Sequence, residues 1–101
     1  MTKQSLMRQQ TLDVLARHKK ELADQYGVIT LGLFGSVARG TETEESDVDI
    51  VVTLREADLF ALAHIKEILE QALGRRVDLI HYRDRMNAFL RKRVQQETIY
   101  V

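Results

Sequence analysis

Apolar positions along the chain follow two rhythms. Between residues 5 and 26, Leu12, Leu15, Ala16, Leu22 and Tyr26 recur at helical spacing with charges between them. Ser5 suits the start of that helix and Gly27 its left-handed stop. "VITLGLF" (28–34) is short, apolar and partly β-branched, which predicts a strand, and Gly32 inside it predicts close approach by a neighbour. Residues 36–39 form a turn or short helix that stops at Gly40, and "TETEES" (41–46) is a polar loop. "DVDIVVTL" (47–54) is the clearest strand: Val48, Ile50 and Val52 share one face, and Asp47, Asp49 and Val51 share the other.

The helical rhythm returns over 56–73, with Leu59, Leu62, Ala63, Ile65, Ile68, Leu69, Ala72 and Leu73 on the apolar side and Gly74 as the stop. "RVDLIHY" (76–82) is a further strand, and 84–96 a last helix with Met86, Phe89, Leu90 and Val94 inward. The order predicts an α/β (α+β) fold: a small mixed sheet of three strands, with room for a fourth, and helices packed mainly on one face. With 101 residues and no linker or repeat, a single domain over 1–101 is expected.

Composition narrows the function. Fifteen basic and fifteen acidic residues cancel, so stable wrapping of a nucleic-acid backbone is not expected. No apolar run approaches the roughly 20 residues that cross a bilayer, and "MTKQSLMRQQ" lacks the apolar core of a signal peptide. The absence of cysteine removes disulfides and thiolate metal sites and fits a cytoplasmic protein.

The candidate chemistry lies in "GLFGSVARGTETEESDVDIVV" (32–52). On a strand, Asp47 and Asp49 stand about 6 to 7 Å apart at the backbone and point the same way. Two like charges so placed suit a hard divalent cation, or else they end a loop and face water. Asp78 opens the next strand; if the two strands pair, a third carboxylate can join the same cleft, as two-metal phosphoryl transfer requires, and otherwise it is a solvated strand residue. Gly35 lets backbone approach a phosphate, and a helix beginning at Ser36 aims free N–H groups at an anion; a serine-capped tight turn accounts for the same two residues. No GxxxxGK[ST] is present, which excludes a Walker A loop.

Together, "GSVARG" and, six residues later, "SDVDI" are much more specific than either alone. The pattern of Gly35, Ser36, Arg39, Gly40, Ser46, Asp47 and Asp49 resembles the signature of the DNA polymerase β-like nucleotidyltransferase superfamily, in its minimal nucleotidyltransferase (MNT) form. The helix and strand order agrees over nearly the whole chain, and "VDLI" puts Asp78 where that family has its third carboxylate. The resemblance implies that Gly35 and Ser36 hold the β- and γ-phosphates of ATP. It implies that Asp47 and Asp49 carry two Mg²⁺ ions, with Mn²⁺ as a substitute, and that Asp78 binds the catalytic metal and helps activate the attacking hydroxyl. Arg39 reaches the phosphates or pairs with Glu42, Glu44 or Glu45, and Ser46 orients the loop before Asp47.

Other polar residues read as structural. His18 and His64 lie on helix surfaces, and His81 follows the Asp78 strand with a structural role favoured over one in the cleft. "RKR" (91–93) reads as a solvated helix face, with a partner or RNA contact as the other reading. Arg75 and Arg76 read as a helix C-terminal dipole contact or as phosphate ligands. Nothing in the chain encloses an acceptor, so the acceptor is expected to supply the missing wall. Free-standing proteins resembling this one are often paired with HEPN-domain proteins. The resemblance therefore implies an antitoxin that transfers AMP from ATP to a tyrosine of a HEPN ribonuclease toxin. A binding-only antitoxin or scaffold, and transfer to an RNA end or a small molecule, are the alternatives.

Overall fold

The computed structural model describes residues 3–101, with side chains from Met7 onward. The elements are α1 (Lys3–Tyr26), β1 (Val28–Phe34), α2 (Gly35–Arg39), β2 (Val48–Leu54), α3 (Leu59–Leu73), β3 (Val77–His81), α4 (Ala88–Glu97) and β4 (Ile99–Tyr100). They form one mixed sheet in the order β3-β2-β1-β4. β1 runs antiparallel to both β2 and β4, whereas β2 and β3 are parallel. A parallel pair cannot be closed by a tight hairpin, and α3 is the crossover between them.

Differences from the sequence reading have local causes. α1 begins at Lys3, so Ser5 lies within the helix rather than at its boundary, and its side chain falls outside the described ones. α3 starts at Leu59 instead of 56 because the Asp58 carboxylate accepts from the N–H groups of Phe60 and Ala61. Asn87 does the same for Phe89 and Leu90, moving the start of α4 from 84 to 88. β4 is the fourth strand for which room was left. It runs so close to β1 that a Cβ on Gly32 would collide with the Thr98 methyl and crowd the Ile99 carbonyl, which is the close neighbour expected there.

The core is unequal across the sheet. On one face, Val48, Ile50, Val52 and Leu54 of β2 and Leu31 and Leu33 of β1 pack against Leu15 and Leu22 of α1 and Ile65 and Leu69 of α3. The opposite face carries a smaller cluster: Phe34, Val51 and Val94, with Leu90, Ile80 and Tyr82 beside them. Helices therefore pack mainly on one face, and α4 is the exception. β2 is apolar at Val51 as well as at its alternate positions because it is covered on both sides. Leu59 and Phe89, expected to face inward, are 83% and 80% exposed, and Ala16, Ala63 and Ala72 are exposed too.

Candidate active site

The site is built where β1 ends and β2 and β3 begin. The sheet register sets Asp49 opposite Phe34 on one side and opposite Asp78 on the other. In a parallel pair, facing residues project to the same side of the sheet, so Asp49 and Asp78 come together on the α4 side. The two carboxyls are close enough that each makes the other's negative charge costlier to hold. Burial pushes the Asp49 carboxyl up to about 6, reinforced by the neighbouring Asp78 carboxyl and the Asp47 charge, with Arg39 pulling the other way.

Gly35 follows Phe34 directly with φ of 77°. A Cβ built there would overlap the Asp49 carboxylate, so this position needs both the left-handed backbone and the missing side chain. The bare backbone of Gly35 thus forms the wall next to Asp49. α2 runs from it for one turn, with Ser36 half-buried at its start, and Gly40 ends it by donating to the Ser36 and Val37 carbonyls. Phe34 supplies no side-chain cap to this helix.

Asp47 behaves differently. It precedes the first residue of β2, is exposed, and forms an ion pair with Arg76 at 3.1 Å. Among the described residues, no three acidic, His or Cys side chains are gathered to hold a metal. Ser46 acts as read: its hydroxyl accepts from the Thr43 N–H at 2.9 Å and closes the loop. Arg75 clasps the same loop by donating to the Ser46 carbonyl at 2.7 Å and the Thr43 carbonyl at 3.2 Å. Arg75 and Arg76 therefore hold the approach to Asp47, just beyond the end of α3, and neither lines the carboxylate cleft.

Arg39 pairs with Glu97 of α4 at 3.2 Å, rather than with Glu42, Glu44 or Glu45. The loop acids lie close in sequence, but the fold brings Glu97, at the end of α4, within reach. Glu97 also binds Arg93 at 3.1 Å. The Arg93 guanidinium lies 5.5 Å from the centroid of the Phe34 ring. These residues enclose an open cleft of about 850 Å³, lined by Gly35, Arg39, Asp49 and Asp78 and, from the β3–α4 region, by Arg83, Arg85 and Arg93. His81 also lines it, its basicity lowered by burial and by Arg83. His18 instead contacts the Val14 carbonyl, and His64 stacks near Tyr26. A more apolar groove of about 550 Å³ between α1, α3 and the 42–44 loop contains none of the three aspartates.

Arg83, Arg85 and Arg93 line the cleft although the sequence reading did not assign them to it, and Glu97, paired with Arg93 and Arg39, was not singled out either. A signal was present: Leu90, Arg93, Val94 and Glu97 fall at i, i+3, i+4 and i+7, so the two charges share the inward stripe of α4 with its two apolar anchors.

The sequence profile of the nucleotidyltransferase domain matches residues 15–101. The chain is 42% identical over 89 residues to the protein adenylyltransferase MntA of Thermococcus cleftensis, covering 87% of this chain and 89% of that protein. A solved structure carrying the provisional name minimal nucleotidyltransferase superposes with a TM-score of 0.73 at 33% identity, over 97% of this chain and 95% of the other. A chain from a toxin–antitoxin complex with AMP-PNP superposes with a TM-score of 0.68 at 26% identity, over 83% of this chain and 69% of the other.

Proposed function

The chain belongs to the nucleotidyltransferase domain family, and from that premise we propose that it is a protein adenylyltransferase. It transfers AMP from ATP to a tyrosine hydroxyl of a HEPN-domain ribonuclease partner and silences that partner, as an antitoxin does. The observation that carries the reading is the Asp49–Asp78 pair, brought together across parallel strands beside the bare backbone of Gly35. The similarity to MntA supports protein as the acceptor class, and the AMP-PNP-bound relative supports a nucleoside triphosphate. A cytoplasmic setting belongs to the same proposal; no helix among the described residues is long and apolar enough to cross a membrane.

The donor set fits a hard cation. Asp49 and Asp78 are adjacent carboxylates, and burial followed by the Asp78 charge raises Asp49, a cost that a divalent ion would relieve. Asp49 and Asp78, joined by Asp47 once it leaves Arg76, would hold Mg²⁺, two ions when the nucleotide is present. The ions would offset negative charge on the entering and leaving oxygens. Gly35 and the half-buried Ser36 would receive the phosphate chain, at a turn where a side chain on residue 35 would run into the Asp49 carboxylate. Arg39 would add a guanidinium at the same wall. The tyrosine oxygen bonds to the α-phosphorus as the bond from that phosphorus to the pyrophosphate oxygen breaks. The hydroxyl proton passes to the carboxylate of Asp78, which is exposed and faces the cleft. The cleft is open on one side, so the partner's own surface would exclude water and orient the tyrosine.

The Asp47–Arg76 ion pair favours one other reading, a binding-only antitoxin, because it holds one carboxylate of the set away from the other two. Incubation with labelled ATP, Mg²⁺ and the neighbouring gene product separates the two. Label on a partner tyrosine, absent with Asp49→Asn, supports transfer. A partner silenced without label, by wild type and Asp49→Asn alike, establishes binding alone. Label on an RNA end or a small molecule keeps the nucleotidyltransferase activity and replaces the acceptor.

A further inference from the structure

The cleft has more positive charge than its carboxylates need. Arg39, Arg83, Arg85 and Arg93 line it, against Asp49 and Asp78. Arg83 and Arg85 lie on the exposed segment after β3, and Arg83 leans on the His81 ring. Arg93 is held differently. It projects from the inward stripe of α4 next to the buried Val94, its guanidinium packs over Phe34, and its Nε donates to Glu97. Glu97 accepts from Arg39 through its other carboxylate oxygen. One carboxylate thus holds two guanidiniums beside the Phe34–Gly35 corner, and their repulsion is offset by the charge between them. Both arginines remain about half exposed, so donor N–H groups are left over for a ligand. Two guanidinium forks converging on one corner of a cleft match the oxygens of an oligophosphate better than a single carboxylate ligand would.

We propose that Arg93 is a second phosphate-binding residue of this cleft, set beside Arg39 by Glu97 and directed at the polyphosphate of the nucleotide. The assignment rests on the nucleotidyltransferase reading and adds to it a residue from α4, more than fifty positions beyond the Gly35–Arg39 turn. It gives α4 two tasks on one stripe: Leu90 and Val94 anchor the helix to the sheet, and Arg93 and Glu97 form the charged wall.

The test is calorimetry of the full chain with Mg²⁺ and, in turn, ATP, AMP and inorganic triphosphate. Arg93→Met keeps an unbranched apolar side chain on α4 and removes the charged fork. It is expected to weaken ATP and inorganic triphosphate by about tenfold to a hundredfold, the range for a lost charge-assisted hydrogen bond, and AMP by less than about threefold. Arg93→Lys is expected to recover part of the loss, since it restores the charge without the fork. Arg93→Gln should reproduce the selective loss if Arg93→Met melts early. Equal weakening of ATP and AMP would mean a structural role, and wild-type ATP affinity in Arg93→Met would mean no role; either overturns the assignment. Wild-type protein that binds neither ATP nor triphosphate overturns the nucleotidyltransferase reading itself, a result distinct from any difference between variants.

Discussion

The two faces of the sheet differ in what they are made of. Under α1 and α3, β1 and β2 present a continuous apolar surface, and the helices answer with Leu15, Leu22, Ile65 and Leu69, all fully buried. Under α4, the apolar contact is reduced to Phe34, Val51, Val94 and their partly buried neighbours, and the remaining area is charged. β2 serves both: Val48, Ile50 and Val52 face the thick layer, while Asp49, beside the buried Val51, faces the thin one. One strand therefore carries stability on one side and the proposed chemistry on the other. The lesson is a division of labour at single-residue spacing, in which neighbours along β2 should fail in opposite ways.

The sharpest contrast is expected from Asp49→Asn. Transfer to the partner should fall by at least about a thousandfold, equivalent to roughly 4 kcal/mol of lost transition-state stabilisation. The fold should be retained, because a charge that burial and Asp78 disfavour is replaced by an amide of similar size. Thermal melting of the metal-free variant should lie at or above wild type; a large drop would show that Asp49 holds the fold together. Leu69→Ala tests the other face. It leaves a cavity under α3 and should cost about 2 to 5 kcal/mol in denaturant unfolding, with the residual folded protein as active per molecule as wild type.

Gly35→Ala should break the contrast, because it sits at the joint between the layers. The new Cβ meets the Asp49 carboxylate and the backbone is left-handed, so stability should fall by about 1 to 3 kcal/mol and transfer should fall with it. A variant that stays stable and active would mean that the Gly35 turn can move away from Asp49 at little cost.

A pH titration sharpens the thin face further. The carboxyl of Asp49 is raised from 3.8 to about 6 in the folded chain, so the native state binds the extra proton in that interval. This group's contribution to stability is therefore fully present below the unfolded value and is lost as pH rises through about 6. Metal-free wild type should show this component in melting curves between about pH 4 and 7, and Asp49→Asn should lack it. The smallest effect is expected at Arg76→Gln, which frees Asp47 from its exposed ion pair. Divalent-ion affinity should rise by a few-fold at most, since exposed pairs contribute about 0 to 1 kcal/mol. Weaker binding would show that Arg76 presents Asp47 to the metal instead of diverting it.

Much of this was legible along the chain. Strand spacing predicted the shared side of Asp49 and Val51, and β1 has the expected bounds, Val28–Phe34. The turn at Gly35 and the loop held by Ser46 also lie where the motif put them. These features depend on backbone geometry repeating every two or 3.6 residues, or on the conformational range of one residue, and neither needs to know what lies across the molecule. What the fold alone decided is every pairing between distant segments. Asp49 meets Asp78 because α3 returns the chain parallel to β2. Arg39 meets Glu97, 58 residues later, because the tertiary fold brings the ends of α2 and α4 together. Arg76 takes Asp47 because β3 begins beside it. Phe89 points outward although its apolar side chain argued for the core, since Leu90 and Val94 already cover the small patch available under α4. Local periodicity says which residues share a face. Which faces meet is set by strand order, register and the area left to bury, and a charged helix such as α4 carries those instructions only weakly in its own pattern.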